Sequence, residues 1–258
     1  MLFRSTLGIG PGGRGFIERG HGISGERALR RAEEAVAITR GLLTTKRFSY
    51  DGEIFRIQEF RLREGPAAHR IPIILSALNP KMMALSARVA DGFVASFPSL
   101  AAVAEWRAIV DREATAAGRN PRDIQMAALL LTCADPSDEA AVAALRRGLA
   151  FYCAAPTYHH IAERSGLGAE VKRVWEAWQR REFEEAARLV TDGICEQFGL
   201  IGTPAACRAR LLALRDAGVY PIIYPLPRPG RVVEDHLATL RSEEHTSELQ
   251  SRGLVSYA

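Results

Sequence analysis

Hydrophobic residues along this chain occur either as short continuous runs or as longer stretches with helical spacing. The run Ile73–Leu75 is followed by a short loop and then by apolar residues at helical spacing as far as Val89. A second run, Phe93–Ala95, starts directly after Asp91 and Gly92. Short apolar runs that alternate with amphipathic helices are typical of the parallel strands of an α/β sheet or barrel.

The same alternation covers most of the chain. Ser24 is a suitable N-cap for a predicted helix from Gly25 to Leu43, and Asp51-Gly52 predicts a β-hairpin turn directly after that helix. On this predicted helix the charged residues fall mainly on the outer face, Glu34 among them. Further strands are predicted at Leu7–Ile9, Ile124–Thr132, Phe198–Ile201 and Val219–Tyr224.

The predicted fold class is α/β, as one domain. Residues 152–190 contain no strand pattern and are predicted to form a helical excursion. A (β/α)₈ barrel takes about 250 residues, and only about five strands of barrel type can be assigned here. We therefore expect a partial TIM (β/α)₈ barrel that lacks roughly its first three strands and carries the hairpin as an insertion.

Both ends of the chain have an unusual origin in this interpretation. Arg241–Ser251 corresponds to the translation of a common short-read sequencing adapter, and Leu2–Ser5 corresponds to the partner adapter. We therefore assign residues 1–5 and 241–258 to adapter sequence, the latter as a disordered tail. The domain at 6–240 is then expected to be an internal fragment that exposes sheet edges, folds poorly and is inactive by itself.

Composition narrows the class of protein. With 47% hydrophobic and 25% charged residues and a net charge of +4, the chain resembles a globular protein, and its basic residues are interspersed with acids. We expect neither a nucleic-acid nor a membrane partner. The four cysteines have no CxxC spacing, and His159-His160 is a poor chelating pair, so we expect reduced cytoplasmic thiols and no metal.

The loop Ser76–Asn79 is the first candidate for chemistry. Pro80 suits the first position of a helix and Asn79 suits its N-cap. A helix N-terminus at the carboxyl end of a parallel strand can bind a phosphate group, and Lys81 could face it. Most loops of this kind bind nothing, and Lys81 could equally be a solvated lysine at a helix start.

The loop Gly10–Gly13 is the second candidate. Its glycines could let a flat ligand approach the backbone, or they could only shape a turn. The segment does not match the GxGxxG pattern between a strand and a helix, so a Rossmann interpretation is weak.

The ordered motifs LGIGPGG, FSYDGEIF, LSALNPKMMALSARVADG and IGTPAACRARLLALRDAGV resemble the luciferase-like monooxygenase superfamily of flavin and deazaflavin barrel enzymes. The LxPKMxxLxxxxADG form is closest to the branch that uses coenzyme F-420, such as methylenetetrahydromethanopterin reductase. The resemblance implies that Ser76, Ala77, Leu78 and Asn79 contact the cofactor phosphate. It also implies that Pro11, Gly12 and Gly13 lie near its ring or ribityl chain.

Two departures from the family pattern concern these same loops. Leu78-Asn79 replaces a glycine-rich pair, and Gly13 stands where one sugar-phosphate dehydrogenase branch places a catalytic acid. Glu18 and His21 are the remaining polar candidates for carrying a proton near the barrel mouth, although surface contacts would explain them equally well.

Three functions follow as hypotheses. The first is an oxidoreductase that transfers hydride between coenzyme F-420 and a small-molecule substrate, with the parent protein a homo-oligomer in the cytoplasm. The second is an FMN-dependent monooxygenase that uses reduced flavin and oxygen. The third is a non-catalytic flavin-binding paralogue, suggested by Gly13 and Leu78-Asn79.

Overall fold

The predicted alternation of strands and helices is confirmed by a computed structural model, which describes residues 5–133 and 137–226. The chain has an α/β fold with parallel strands. Its internal contacts divide it into two compact units, one with residues up to 95 and 104–126 and one with residues 96–103 and from 127 onward. The segments assigned to adapter sequence, 1–5 and 241–258, lie outside the described residues except for Ser5.

The first unit combines three parallel strands, a hairpin and flanking helices. Strand β1 pairs with β4 and β4 pairs with β5, with Leu7 opposite Ile73 and Ile74 opposite Gly92. The elements are β1 (Leu7–Ile9), α1 (Arg14–His21), α2 (Ala28–Thr44), β2 (Phe48–Asp51), β3 (Arg56–Phe60), β4 (Ile73–Ser76), α3 (Pro80–Val89), β5 (Gly92–Ser96) and α4 (Leu100–Ala116), followed by the start of β6 (Gln125–Cys133). Ser96 of β5 and residues 100–103 of α4 belong to the second unit.

The two faces of this small parallel sheet differ in burial. Ile73 and Leu75 are completely buried, whereas the intervening Ile74 is partly exposed and Ser76 is exposed. Side chains alternate between the two faces of a strand, so one face packs in the core while the other faces open space. Leu7 on β1 is 39% exposed.

One carboxylate fixes the start of two of these strands. Asp91 is buried and accepts a hydrogen bond from the Ile73 amide (2.8 Å) and one from Arg40 (3.0 Å). Arg70 also contacts it closely, and Arg119 lies 3.8 Å away. Burial opposes ionisation of Asp91, but the Ile73 amide and Arg40 outweigh it and lower its pKa.

The neighbouring Gly92 is required by a close backbone contact. A Cβ atom at this position would overlap the carbonyl oxygen of Gln125, where the amide of Gln125 donates to the Asp91 carbonyl (2.9 Å). The Asp-Gly pair of the sequence therefore has two separate structural roles. Asp91 binds arginine side chains and the Ile73 amide, and Gly92 leaves room for the backbone of the next strand, β6.

The hairpin of β2 and β3 is anchored to helix α2 by a second buried carboxylate. Glu34 is completely buried and accepts hydrogen bonds from the amides of Glu53 (2.9 Å), Ile54 (3.1 Å) and Phe55 (2.9 Å). Burial opposes its ionisation, but these three amides, with Arg30, outweigh that effect and lower its pKa.

The prediction that Glu34 faces outward is therefore wrong. Periodicity within the helix could not reveal that the hairpin folds back over this position and brings three unpaired amides to it. The predicted hairpin is confirmed, but its turn is longer than the predicted Asp51-Gly52 turn: Asp51 is opposite Arg56, and residues 52–55 form the turn. A Cβ atom on Gly52 would overlap the Glu34 carboxylate, so this glycine makes room for the contact.

The predicted N-cap of helix α2 is also wrong. Ser24 accepts a hydrogen bond from the Glu26 amide (3.2 Å), two residues later, and so closes a local turn. The helix begins only at Ala28, after Arg27 in a left-handed conformation with φ of 56°. The short helix α1 was not predicted from the sequence.

The second unit contains most of the helices. Strand β6 pairs in parallel with β7, with Leu131 opposite Gly199, and it also pairs with β8. The remaining elements are α5 (Glu139–Cys153), α6 (His159–Arg164), α7 (Gly168–Gln179), α8 (Phe183–Arg188), α9 (Asp192–Phe198), β7 (Gly199–Ile201), α10 (Pro204–Asp216) and β8 (Val219–Pro225).

The helical excursion packs around a continuous apolar core, and the predicted absence of strands between 152 and 190 is confirmed. Leu145, Val174 and Ile194 are completely buried within it. Phe97 enters the same core with φ of 60°, a conformation uncommon for a bulky residue, and contacts Phe198 at a ring distance of 4.8 Å. Among the described residues, none of the helices has the length and apolar character needed to span a membrane.

We expect Asp91→Asn to lower the free energy of unfolding by about 3 kcal/mol, because three guanidinium groups would then surround a neutral amide. Since the pKa of Asp91 is lowered in the folded chain, its contribution is complete above the unfolded pKa of about 3.9 and is lost as the pH falls further. Urea unfolding from neutral to acidic pH measures both effects. The control Asp111→Asn, at an exposed pair with Arg107, should change stability by less than about 1 kcal/mol.

Glu34→Gln should loosen the hairpin, because a neutral amide binds three backbone N–H groups less well than a carboxylate does. Hydrogen exchange at the Ile54 and Phe55 amides should become faster by on the order of tenfold. Glu33→Gln is the matched control, since Glu33 pairs with Arg30 at the helix surface. Equal exchange rates in the two variants would contradict the assigned role of Glu34.

Candidate functional site

The loop after β4 continues directly from a buried strand end. The Ala77 amide donates to the Val94 carbonyl (2.8 Å), and Ala77 itself is completely buried. Ser76 and Asn79 on either side are exposed, and Leu78 is partly buried. A backbone hydrogen bond therefore fixes the loop where it leaves the strand, while Ser76 and Asn79 remain exposed.

The predicted helix start after this loop is confirmed. The Asn79 side chain accepts from the Met82 amide (3.0 Å), its carbonyl accepts from the Met83 amide (3.1 Å), and Pro80 occupies the first turn. Pro80 has no N–H. Within the described chain this leaves the Lys81 amide as the backbone donor of the first turn that Asn79 does not engage.

The glycine-rich loop after β1 lies beside the loop after β4. A Cβ atom on Gly10 would lie 3.1 Å from the Ser76 Cβ, so the two predicted cofactor-binding segments follow adjacent strands. Gly12 has φ of +71°, and a Cβ there would lie 2.7 Å from Ile17. A Cβ on Gly13 would meet nothing within 4 Å.

The carboxylate of Glu18 is held by two neighbouring groups. It lies on α1, pairs with Arg14 (2.9 Å) and accepts from the Gly25 amide (3.1 Å). The hydrogen bond from Arg14, with that from Gly25, lowers the pKa of Glu18. It is therefore ionised at neutral pH and can take part in proton transfer only as an acceptor, and the two hydrogen bonds weaken it in that role. His21 lies exposed at the end of the same helix.

Lys81 lies exposed at the second position of α3, next to the loop that precedes it. In the described part of the chain it forms no ion pair, which suits a solvated lysine and a phosphate-facing lysine equally. Lys81 is thus a solvent-accessible cation close in sequence to the Ser76–Asn79 loop.

The cysteines are unsuited to nucleophilic chemistry. All four are buried as free thiols. Burial raises the pKa of Cys153 to about 12 and that of Cys195 to about 11, so neither forms a thiolate at neutral pH. Over residues 5–133 and 137–226 no group of His, Cys, Asp and Glu side chains could hold a metal ion.

One polar pair in the second unit is not predicted by the sequence pattern. Ser96 at the end of β5 is buried, and its side chain forms a hydrogen bond with Tyr158. Burial nevertheless raises the pKa of Tyr158. The only available signal was the position of Ser96 at a predicted strand end, because Tyr158 is 62 residues later and belongs to the helical excursion.

The chain can also be compared with known proteins. A family model described as luciferase-like monooxygenase matches residues 4–220. The chain belongs to this family.

Three relatives illustrate its range. A 5,10-methylenetetrahydromethanopterin reductase of Archaeoglobus fulgidus is 34% identical over 87% of this chain and 68% of the relative. The structure of a coenzyme F-420-dependent tetrahydromethanopterin reductase from Methanopyrus kandleri matches with a TM-score of 0.72 and 20% identity, over 87% of this chain and 69% of the other. An FMNH2-dependent dimethylsulfone monooxygenase of Pseudomonas putida is 26% identical over 74% of this chain and 51% of the relative.

The residues of the first unit suit a flavin-type cofactor with a phosphate group. The open space at Gly13 leaves room near the backbone, and exposed Ser76 supplies a hydroxyl beside the adjacent glycine loop. The Lys81 amide and ammonium add donors for an anion. The Leu78-Asn79 departure from the family pattern has a local reason, since Asn79 is used as the helix cap.

Asn79→Ala is expected to lower the free energy of unfolding by about 1 kcal/mol, because the Met82 amide loses its acceptor. Asn79→Ser keeps a capping oxygen and should recover most of this loss. Urea unfolding of the two variants beside the parent chain measures the difference. Equal losses in both variants would contradict the capping role.

Proposed function

We propose that the chain is part of a coenzyme F-420-dependent oxidoreductase that acts on a small organic substrate. The observation that carries this proposal is the 34% identity to a methylenetetrahydromethanopterin reductase over nearly the whole chain. The adjacent loops after β1 and β4 add a plausible place for the cofactor. When bound, the deazaflavin would supply the hydride chemistry, and the protein would supply binding and orientation.

The proposal also covers the complete fold, the oligomeric state and the location of the parent protein. In it, the parent is a complete (β/α)₈ barrel whose first three strands are not in this sequence, assembled as a homo-oligomer in the cytoplasm. The partly exposed sheet face with Ile74 and Ser76 supports the idea of further strands, because the interior of a barrel is normally filled by side chains.

Each loop has a proposed role. Ser76, Ala77, Leu78 and Asn79 would bind the phosphate side of the cofactor through the Ser76 hydroxyl and backbone amides, with Lys81 adding charge. Pro11, Gly12 and Gly13 would lie against the ring or the ribityl chain. These assignments rest on the positions of the loops at the carboxyl ends of parallel strands, where barrel enzymes place their active sites.

The proposal also assigns roles in proton transfer. Glu18 is ionised and paired with Arg14, so its proposed role is that of a proton acceptor. His21, one helical turn later, is the proposed donor. Movement of Arg14 away from Glu18 would be needed before the carboxylate could reach a substrate.

An FMN-dependent monooxygenase is the second candidate, and the 26% identity to the dimethylsulfone monooxygenase favours it. A non-catalytic flavin-binding paralogue is the third candidate. Its support is Gly13, which cannot act as an acid, and Asn79, whose side chain caps the helix.

Titration of the full-length parent protein with each cofactor, followed by the absorbance of that cofactor, should show tighter binding of F-420 than of FMN. Ser76→Ala should weaken F-420 binding by on the order of tenfold, because a hydrogen bond to a charged group is lost. Ser24→Ala, at an exposed turn, is the control. Tighter FMN binding with oxygen consumption would favour the monooxygenase, and binding without turnover would favour the paralogue.

A further inference from the structure

A cavity of about 360 Å³ lies wholly within the second unit. Its volume falls in the range of small-molecule sites. Apolar and polar side chains share its wall, which is formed by Pro98, Ser99, Leu100, Glu196, Gln197, Arg210, Ala213 and Leu214.

Arg210 is the positively charged residue in the wall of the cavity. One of its terminal nitrogens, Nη1, donates to the carbonyl oxygens of Glu196 (2.8 Å) and Gly199 (2.6 Å). These two hydrogen bonds fix the guanidinium in place. A guanidinium has five N–H groups, so three remain on Nη2 and Nε, and for these no acceptor occurs among the described residues.

The charge of Arg210 is not balanced locally. Arg210 is partly buried, and burial lowers its pKa. In the described ranges no carboxylate lies within ion-pair distance of it. Partial burial of a cation without an acid is unfavourable, and an arginine fork matches the two oxygens of a carboxylate or phosphate. Glu196 also lines the cavity and is an exposed residue.

We propose that this cavity binds a small molecule through a carboxylate or phosphate group held by the guanidinium of Arg210. The apolar wall of Pro98, Leu100 and Leu214 would contact the body of that molecule. Glu196 lies in the same wall as a negative charge, and it therefore weakens the binding of simple anions. The inference does not depend on the proposed function, because every residue in it belongs to the cavity.

The test uses the 258-residue chain and two probes, benzoate for the carboxylate and inorganic phosphate for the phosphate. The signal is the Nε–H resonance of Arg210 in ¹⁵N NMR, at constant ionic strength set with sodium chloride. We expect a saturable shift with at least one probe, and the probe that binds more tightly identifies the anion class.

Matched variants test whether the saturable shift comes from binding in the cavity. Ala213→Phe fills the cavity and should abolish the saturable shift, whereas Ala209→Phe, on the same helix and outside the lining, should preserve it. Arg210→Lys should weaken binding by on the order of tenfold, because lysine lacks the fork of two nitrogen donors. Since this variant has no Arg210 resonance, its binding is measured from the Leu214 methyl signals. Glu196→Gln should tighten binding.

Two results would overturn the proposal. One is the absence of a saturable shift with either probe. The other is an equal response in Ala213→Phe and Ala209→Phe, since a surface effect of salt would act on both. Ala213 and Ala209 are both exposed on α10, so neither substitution removes a contact in the core of the second unit.

Discussion

The first unit depends on the buried carboxylate of Asp91. It binds the amide that starts β4, and its own backbone carbonyl accepts from Gln125 at the start of β6. Arg40 brings helix α2 to the same point. Removal of a partner from such a buried charge costs more than an exposed pair contributes, so the carboxylate and its arginines act as one unit. The amino ends of the strands are thereby fixed.

Glu34 applies the same principle to the hairpin. Its carboxylate binds three amides of one turn, and Arg27 and Arg30 pair with Glu53 in that turn. In both places a buried charge is stable because backbone N–H groups and guanidinium groups satisfy it. The hairpin is therefore part of the packed first unit.

This arrangement separates stability from binding within the first unit. Asp91 and its partners lie at the amino ends of β4 and β5, whereas the loops with Gly13 and Ser76 follow the carboxyl ends of β1 and β4. In parallel α/β proteins the carboxyl ends carry the ligand-binding loops. The loops proposed to bind a cofactor are therefore separate from the carboxylate that fixes the strands, while Glu18 is engaged in holding its own loop.

The sequence by itself determined the α/β class, the presence of a hairpin after α2, and the helix start at Asn79-Pro80, because turn and cap preferences depend on neighbouring residues. The ordered sequence motifs also indicated the family resemblance. Only the tertiary structure decided that Glu34 is buried, that Ser24 does not cap α2, and that Arg210 borders a cavity without an acid partner. Each of these depends on groups far apart in the chain, and helical periodicity contains no information about which distant amide or carbonyl will meet a given side chain.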